Sequence, residues 1–492
     1  MPAAPATSNR APLALLRSHR GLVVLLVLGV VVRAVLVGAI SPAHLNYIDS
    51  WGYAKEADGP LFLPHFYRPA GYSAFLAVLA AIWPNLQATI LLQHALGLLT
   101  AVLVYAAMLR LGQPRWVALV PAAVITLSGD VLYFEHTLLS EWLFMGLLVG
   151  ALFLAAGLTQ RPVAVRRALA LAAGAGLLLG MASTVRGTGM FVVPVFAVVA
   201  LLRPTEGLRA RGLPAVALVL AAGAVLLVYA GAQYRATDYF GFTEGRGWAL
   251  YARVAPFADC SAFTPPAGTR VLCEKTDART RMGPDHYMWD EDSPARRAVG
   301  GAGPPAQDEL MGRFGRAVAL GQPKAYARAI ARDLWRFVDP DGRVGFGQPP
   351  WSLNLSERNI PWEQFNRMAV DPLYGPAELT FRPTAQRRFG RGQELSRVPG
   401  ALVLLATVLT LVAFPFAGRG TRLALLALGG SAFAGLVLSV AAQGYNWRFA
   451  VPFLPLLLAS GAVGARVVVL RLASLRARRR SGARAPEPQP AG

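Results

Sequence analysis

"GLVVLLVLGVVVRAVLVGAI", residues 21–40, decides which solvent this chain folds in. Arg33 is its one ionisable residue, and at about 1.5 Å of rise per residue a helix of this length crosses a hydrocarbon core. Arg10, Arg17 and Arg20 precede it, which reads as a cytoplasmic N-terminus. The run is longer than the apolar core of a secretory signal, so it is read as an uncleaved first span, with cleavage near "GAISPA" (38–43) as the alternative.

The whole chain agrees with this choice of solvent. Of 492 residues, 54% are hydrophobic and only 15% charged, a departure from soluble-domain usage toward an integral membrane protein. The formal charge of +21 sits in short Arg clusters between apolar runs. That pattern argues against nucleic acid as a partner, which calls for one basic domain with interleaved aromatics.

Further apolar runs at 87–109, 117–132, 139–158, 168–185, 188–203, 213–232, 398–416, 423–443 and 449–470 predict an all-α polytopic membrane protein of about ten transmembrane helices. With the N-terminus inside, the Arg-rich connections 110–115, 161–167, 203–212 and 417–422 and the tail from Arg471 all fall on the cytoplasmic side, as the positive-inside rule requires. Residues 70–84 are apolar but short, and counting them as a span would invert every later loop. They are read as an interfacial or re-entrant helix on the outer side.

The expected organisation is a cytoplasmic segment (1–20), an N-terminal membrane module (21–232) with its first outer loop at 41–86, an extracytoplasmic domain (233–397), C-terminal membrane helices (398–470) and a basic disordered cytoplasmic tail (471–492). Such an orientation places the protein in the cytoplasmic membrane. Cys260 and Cys273 both fall in the outer segment. A disulfide is the simplest reading if that compartment is oxidising, and two free thiols are the alternative.

The outer ends of the spans carry the unusual side chains. In "HLNYIDSWGYAKEAD" (44–58) Asp49, Tyr53 and Glu56 share one helical face. Lys55 and Arg68 lie nearby, and Glu135, His136, Glu141, Arg186 and Arg448 fall at other outer ends. Ionisable groups at membrane depth are costly unless paired or facing a wet cavity, which makes them site candidates. Carboxylates such as Asp49 and Glu141 can take a proton from a hydroxyl, while Arg forks match phosphate oxygens. Each residue also has a plainer role: Asp49 as a helix cap, Glu135 and Glu141 as flanks of the fourth span, and Lys55, Arg186 and Arg448 as snorkelling cations. Glu56 and Asp58 read as surface acids. Arg33 faces the bundle or snorkels outward, His94 is an interior hydrogen-bonded residue, and Gly174, Gly176 and Gly180 permit close helix packing. His136 beside Glu135 is a weak metal hint.

The chain resembles the GT-C superfamily of polytopic glycosyltransferases, which includes protein O-mannosyltransferases and aminoarabinose transferases. "YIDSWGYAKEA" (47–57) is similar to its D-x-x-x-Y pattern and "YRPAGYSAFLAVLAAIWP" (67–84) to its R-P-P-G-Y segment. "LLSEWLFMGLLV" (138–149), "STVRGTGMFVVP" (183–194) and "YNWRFAVPFLPLLLA" (445–459) follow in the same order. Ala70 replaces the second Pro, and Ser50 stands where the family has an acidic partner to the first Asp. The resemblance implies Asp49 as acceptor-activating base, Glu141 as its helper, and Arg68, Arg186 and Arg448 as donor-phosphate contacts; Tyr53 and Lys55 beside them are read as further substrate contacts. It also implies a polyprenyl-phosphate-sugar donor, a glycan, lipid or protein acceptor, and transfer with inversion among membrane lipids on the outer face. No motif calls for a cofactor, and a divalent metal stays open because metal dependence differs within the superfamily. Two other readings are a transporter or flippase of lipid-linked saccharide, which would show repeats and midplane charges, and a non-catalytic envelope-assembly scaffold.

Overall fold

A computed structural model describes residues 17–45, 47, 49–62, 68–299, 305–339, 353 and 360–482. The first apolar run forms α1 (Arg20–Ala39), with Val24, Val27, Leu28, Val30, Val31 and Val35 exposed. A helix whose outward side is this apolar needs lipid around it. The chain continues through a two-residue strand β1 (Ile40–Ser41) into α2 (Asp49–Asp58), α3 (Gly71–Ile82), α4 (Leu86–Arg110), α5 (Arg115–Leu127), α6 (Gly129–Glu135), α7 (Glu141–Ala156), α8 (Val165–Val185), α9 (Val193–Leu201) and α10 (Leu208–Thr237).

Among the described residues seven helices are long and apolar enough to cross a membrane, or eight when α5 and α6 count as one bent span. The two other segments read as spans are shorter apolar helices, Glu141–Ala156 and Gly187–Leu201, and 70–84 holds the equally short α3. The run at 117–132 is not straight: α5 and α6 meet at 53°. Ser128 and Gly129 supply the break, Ser128 being extended, and a Ser-Gly step is a common place for a helix to kink. A Cβ at Gly129 would collide with the Gln393 backbone. Close packing of α8 on α10 likewise needs Gly176, where a Cβ would collide with the Leu218 carbonyl.

Between α10 and the C-terminal helices the chain divides into two parts. Residues of α11 (Arg246–Val254) and α12 (Pro305–Gly321) enclose a core of their own, with Trp248, Tyr251, Tyr287, Met311 and Phe314 buried together. Beyond it, α13 (Pro323–Val338) and α14 (Ile360–Tyr374) send Phe337, Val370 and Tyr374 into the core of the membrane bundle instead. Strand β2 (Thr380–Phe381) pairs antiparallel with β1, which ties the end of the first span to this region. The chain ends with α15 (Pro383–Ser396), α16 (Gly400–Ala413), α17 (Arg419–Gln443, with a π-helical turn at Leu426–Gly430) and α18 (Leu454–Gly482).

Cys260 and Cys273 are joined by a disulfide at a sequence separation of 13, against the small core of α11 and α12. Closing a loop of that size stabilises by about 3 kcal/mol. The Cys260→Ser/Cys273→Ser variant is therefore expected to unfold residues 246–318 at lower temperature, read by hydrogen exchange, with exchange in α4 and α8 unchanged.

Candidate functional site

Three Arg-rich connections meet at one end of the bundle: Arg203 Nη2 donates to the Val163 carbonyl at 3.0 Å, Arg419 Nη2 to the Leu202 carbonyl at 3.1 Å, and Gln160 Nε2 to the Gly420 carbonyl at 3.4 Å. The candidate site lies at the other end. There Asp49 opens α2, Glu141 opens α7, and Arg186 follows α8 in extended backbone. Arg448 sits in the Trp447–Phe449 turn, whose preceding Asn446 accepts from the Arg448 N–H at 3.1 Å.

These residues form one continuous ion-pair network. Asp49 Oδ1 accepts from Arg68 Nη2, and Asp49 Oδ2 from Arg448 Nη1. Glu141 Oε1 accepts from Arg448 Nε and, at 2.7 Å, from Arg186 Nη1. Arg186 Nη1 also donates to Ser140 Oγ at 3.1 Å, and Tyr53 shares a hydrogen bond of 2.9 Å with that hydroxyl. Aromatic rings back the cations: Arg448 lies 4.9 Å from the Tyr47 ring centroid, Arg68 5.8 Å from Tyr53 and Arg186 5.7 Å from Phe449.

Exposure is graded across the network. The Glu141 side chain is 1% exposed, Arg448 6%, Asp49 12%, Arg186 13% and Arg68 23%, so Arg68 and Arg186 are the cations nearest solvent. Burial works against the Asp49 charge, but Arg68 and Arg448 overcome it and hold the carboxyl down at about 2.

Lys55 does not join: it is exposed near the end of α2. Glu56 overturns the surface reading. It is buried, accepts from Ser73 Oγ at 2.6 Å, and burial pushes it up to about 7 against that hydrogen bond and Arg68. The reason is geometric, since α3 packs on α2, with Ser73 on Glu56 and the Tyr72 ring 4.9 Å from that of Tyr53. Asp58 is exposed.

Glu135 belongs to a second, separate cluster. Arg33 turns into the bundle and grips its carboxylate with Nε and Nη2, both at 2.8 Å. His94 Nδ1 lies 2.9 Å from the same carboxylate, His94 Nε2 3.0 Å from His136 Nδ1, and His136 Nε2 donates to the Ile40 carbonyl at 3.0 Å. Gly97 makes room for it, because a Cβ there would overlap Glu135 Oε1. Among the described residues no group of three or more His, Cys, Asp or Glu side chains is arranged to hold a metal.

Sequence reading missed the residues that hold this site from outside. On α14, buried Glu363 Oε2 accepts from the Leu45 N–H at 2.7 Å, Asn366 Nδ2 donates to the Leu45 carbonyl at 2.8 Å, and Asn366 Oδ1 accepts from the Trp51 N–H at 2.7 Å. Phe365 stacks on Trp51 with centroids 5.6 Å apart. The Arg448 turn is held similarly, with Trp447 Nε1 donating to Asp130 Oδ2 at 3.3 Å and Phe337 lying 4.7 Å from the Tyr445 ring. Nothing in a linear reading marks these partners; Asn366, for one, stands 315 residues from Trp51.

No protein-family model and no curated protein matches the chain. Among solved structures, the chain is similar to the apo oligosaccharyltransferase of Archaeoglobus fulgidus (TM-score 0.46, 13% identity, 94% of this chain and 52% of that one). The same archaeon's AglB with an inhibitory peptide and a dolichol-phosphate gives a TM-score of 0.42 at 14% identity, with the same coverage. ArnT from Cupriavidus metallidurans bound to undecaprenyl phosphate gives 0.36 at 14% identity, covering 89% of this chain and 77% of that one. The chain thus spans about half the length of the oligosaccharyltransferase chains it matches.

Proposed function

We propose that this protein is a membrane glycosyltransferase that moves a sugar from a polyprenyl-phosphate-linked donor to a hydroxyl or amine acceptor on the outer face of the cytoplasmic membrane. The observation that carries this reading is the network joining Asp49, Arg68, Glu141, Arg186 and Arg448 at the end of the bundle away from the Arg-rich connections. Counted over those five side chains, three guanidinium groups face two carboxylates, a surplus of one positive charge. A phosphodiester-linked sugar donor carries one negative charge and balances it.

In this mechanism the lipid tail lies between spans and the phosphate meets the exposed edge formed by Arg68 and Arg186. Phosphate oxygens compete with Asp49 for its guanidinium partners. That loosens the clamp that keeps the carboxylate weakly basic, and binding of donor thereby prepares the base. Asp49 takes the proton of the acceptor as its oxygen or nitrogen attacks the anomeric carbon from the face opposite the phosphate. The carbon–oxygen bond to phosphate breaks, the configuration inverts, and the charge growing on the departing polyprenyl phosphate is held by the Arg groups. Glu141 keeps Arg186 and Arg448 aligned.

The deciding experiment offers purified protein in lipid a panel of polyprenyl-phosphate sugars and measures release of polyprenyl phosphate. Turnover with one donor is the expected result. No release and no thermal stabilisation by any donor would overturn the reading. The orientation has its own check: a cysteine-reactive, membrane-impermeant label should reach an engineered cysteine at Lys55 from outside intact cells and one at Arg161 only after lysis.

A further inference from the structure

We infer that Asn366, on helix α14, is a positioning residue for Asp49: it caps helix α2 from a distance and fixes where its first carboxylate stands. The inference rests on the reading of Asp49 as base given above.

The first N–H groups of any helix lack intrahelical partners and are normally satisfied by the side chain of the residue just before it. Helix α2 begins at Asp49, and the residue before it is Ile48, which has no acceptor to offer. Asn366 fills that role in trans. Its Oδ1 accepts from the N–H of Trp51, the third residue of the helix, at 2.7 Å, the same bond a local Asn cap makes. Its Nδ2 meanwhile donates to the Leu45 carbonyl at 2.8 Å, while Glu363 takes the Leu45 N–H at 2.7 Å. One fully buried amide therefore grips the chain on both sides of Asp49. Trp51 also stacks on Phe365 of the same helix α14.

The consequence for chemistry is directional. Asp49 sits on the first turn, so any fraying of that turn moves the carboxylate itself, whereas Arg68, Arg186 and Arg448 are carried by other segments. Loss of the cap should reduce the rate of proton removal and leave the hold on donor phosphate largely intact. A misplacement of the reacting group by about 1 Å lowers rates by up to about a hundredfold.

The test compares Asn366→Ala, Asn366→Asp and Asn366→Leu in the full-length protein reconstituted in lipid. Asn366→Ala should lower kcat roughly tenfold to hundredfold with donor KM within about twofold of wild type. Asn366→Asp keeps an oxygen for the Trp51 N–H but has no donor for the Leu45 carbonyl, so it should recover part of the loss, whereas Asn366→Leu, which fills the same space with no acceptor, should recover none. Wild-type kcat in Asn366→Ala, or a donor KM that rises in step with the fall in rate, would overturn the assignment. Hydrogen exchange supplies an arm independent of turnover. Faster exchange in residues 49–58 of Asn366→Ala, with 246–318 unchanged, supports the cap, and unchanged exchange refutes it. If wild-type protein turns over no donor while the exchange result holds, the glycosyltransferase reading fails and the cap stands.

Discussion

Asp49→Asn is expected to lower turnover by about 10²- to 10⁴-fold, the range over which a positioned proton acceptor contributes, while the protein still inserts and folds. Asn matches Asp in shape and keeps one oxygen for Arg68 or Arg448, so the change removes basicity more than volume. The loss should not vary with pH across the neutral range. The folded-state value of about 2 lies below the ordinary carboxylate value, so the stability from these ion pairs is fully present above about pH 4 and lost as pH falls toward 2. From about pH 5 upward wild-type Asp49 is ionised throughout, and the amide that replaces it is neutral throughout. A variant with near wild-type turnover would remove Asp49 from the role of base.

Arg448→Lys is the second large effect expected, with kcat falling by about 10²- to 10³-fold, the usual cost of losing one oriented donor at a developing charge. One guanidinium joins both acids, through Nη1 to Asp49 and Nε to Glu141. An ammonium is a point charge on a flexible stem and does not span two carboxylates in fixed directions. Charge is conserved, so a loss of activity would report geometry. Stability should fall too, since Glu141 is buried with Oε2 lacking a hydrogen-bond partner among the described residues, and leaving a buried carboxylate with fewer donors is costly. Thermal unfolding alongside single-turnover kinetics separates the two effects. A Lys variant with wild-type rate would mean that Arg448 only anchors its turn.

What the linear sequence disclosed follows from what membranes penalise. Spans are legible because lipid forbids unpaired backbone and charge over a fixed thickness, and the Arg clusters are legible because orientation depends on them. For the same reason Asp49, Glu141, Arg186 and Arg448 stood out: each is a charge beside or shortly after an apolar run. Glu56 was misread because the covering element, α3, approaches from beyond a break in the helical run, and local periodicity does not report what packs on a face. Lys55, close to Asp49 in sequence, is exposed and lies outside the ion-pair network. Asn366 and Glu363 carry no signal at all, since ordinary polar residues in a polar loop become distinctive only when their hydrogen-bond partners are known.

The strand pair that fastens Ile40–Ser41 to Thr380–Phe381 has a bearing on biogenesis. A ribosome delivers the first of these segments hundreds of residues before the second, so the end of the first apolar helix must wait, unfastened, while most of the polypeptide is threaded into the bilayer. Nascent chains stalled short of that point should be recognised by membrane quality-control proteases, and co-expressed halves divided within the outer segment should regain function only when both are made together.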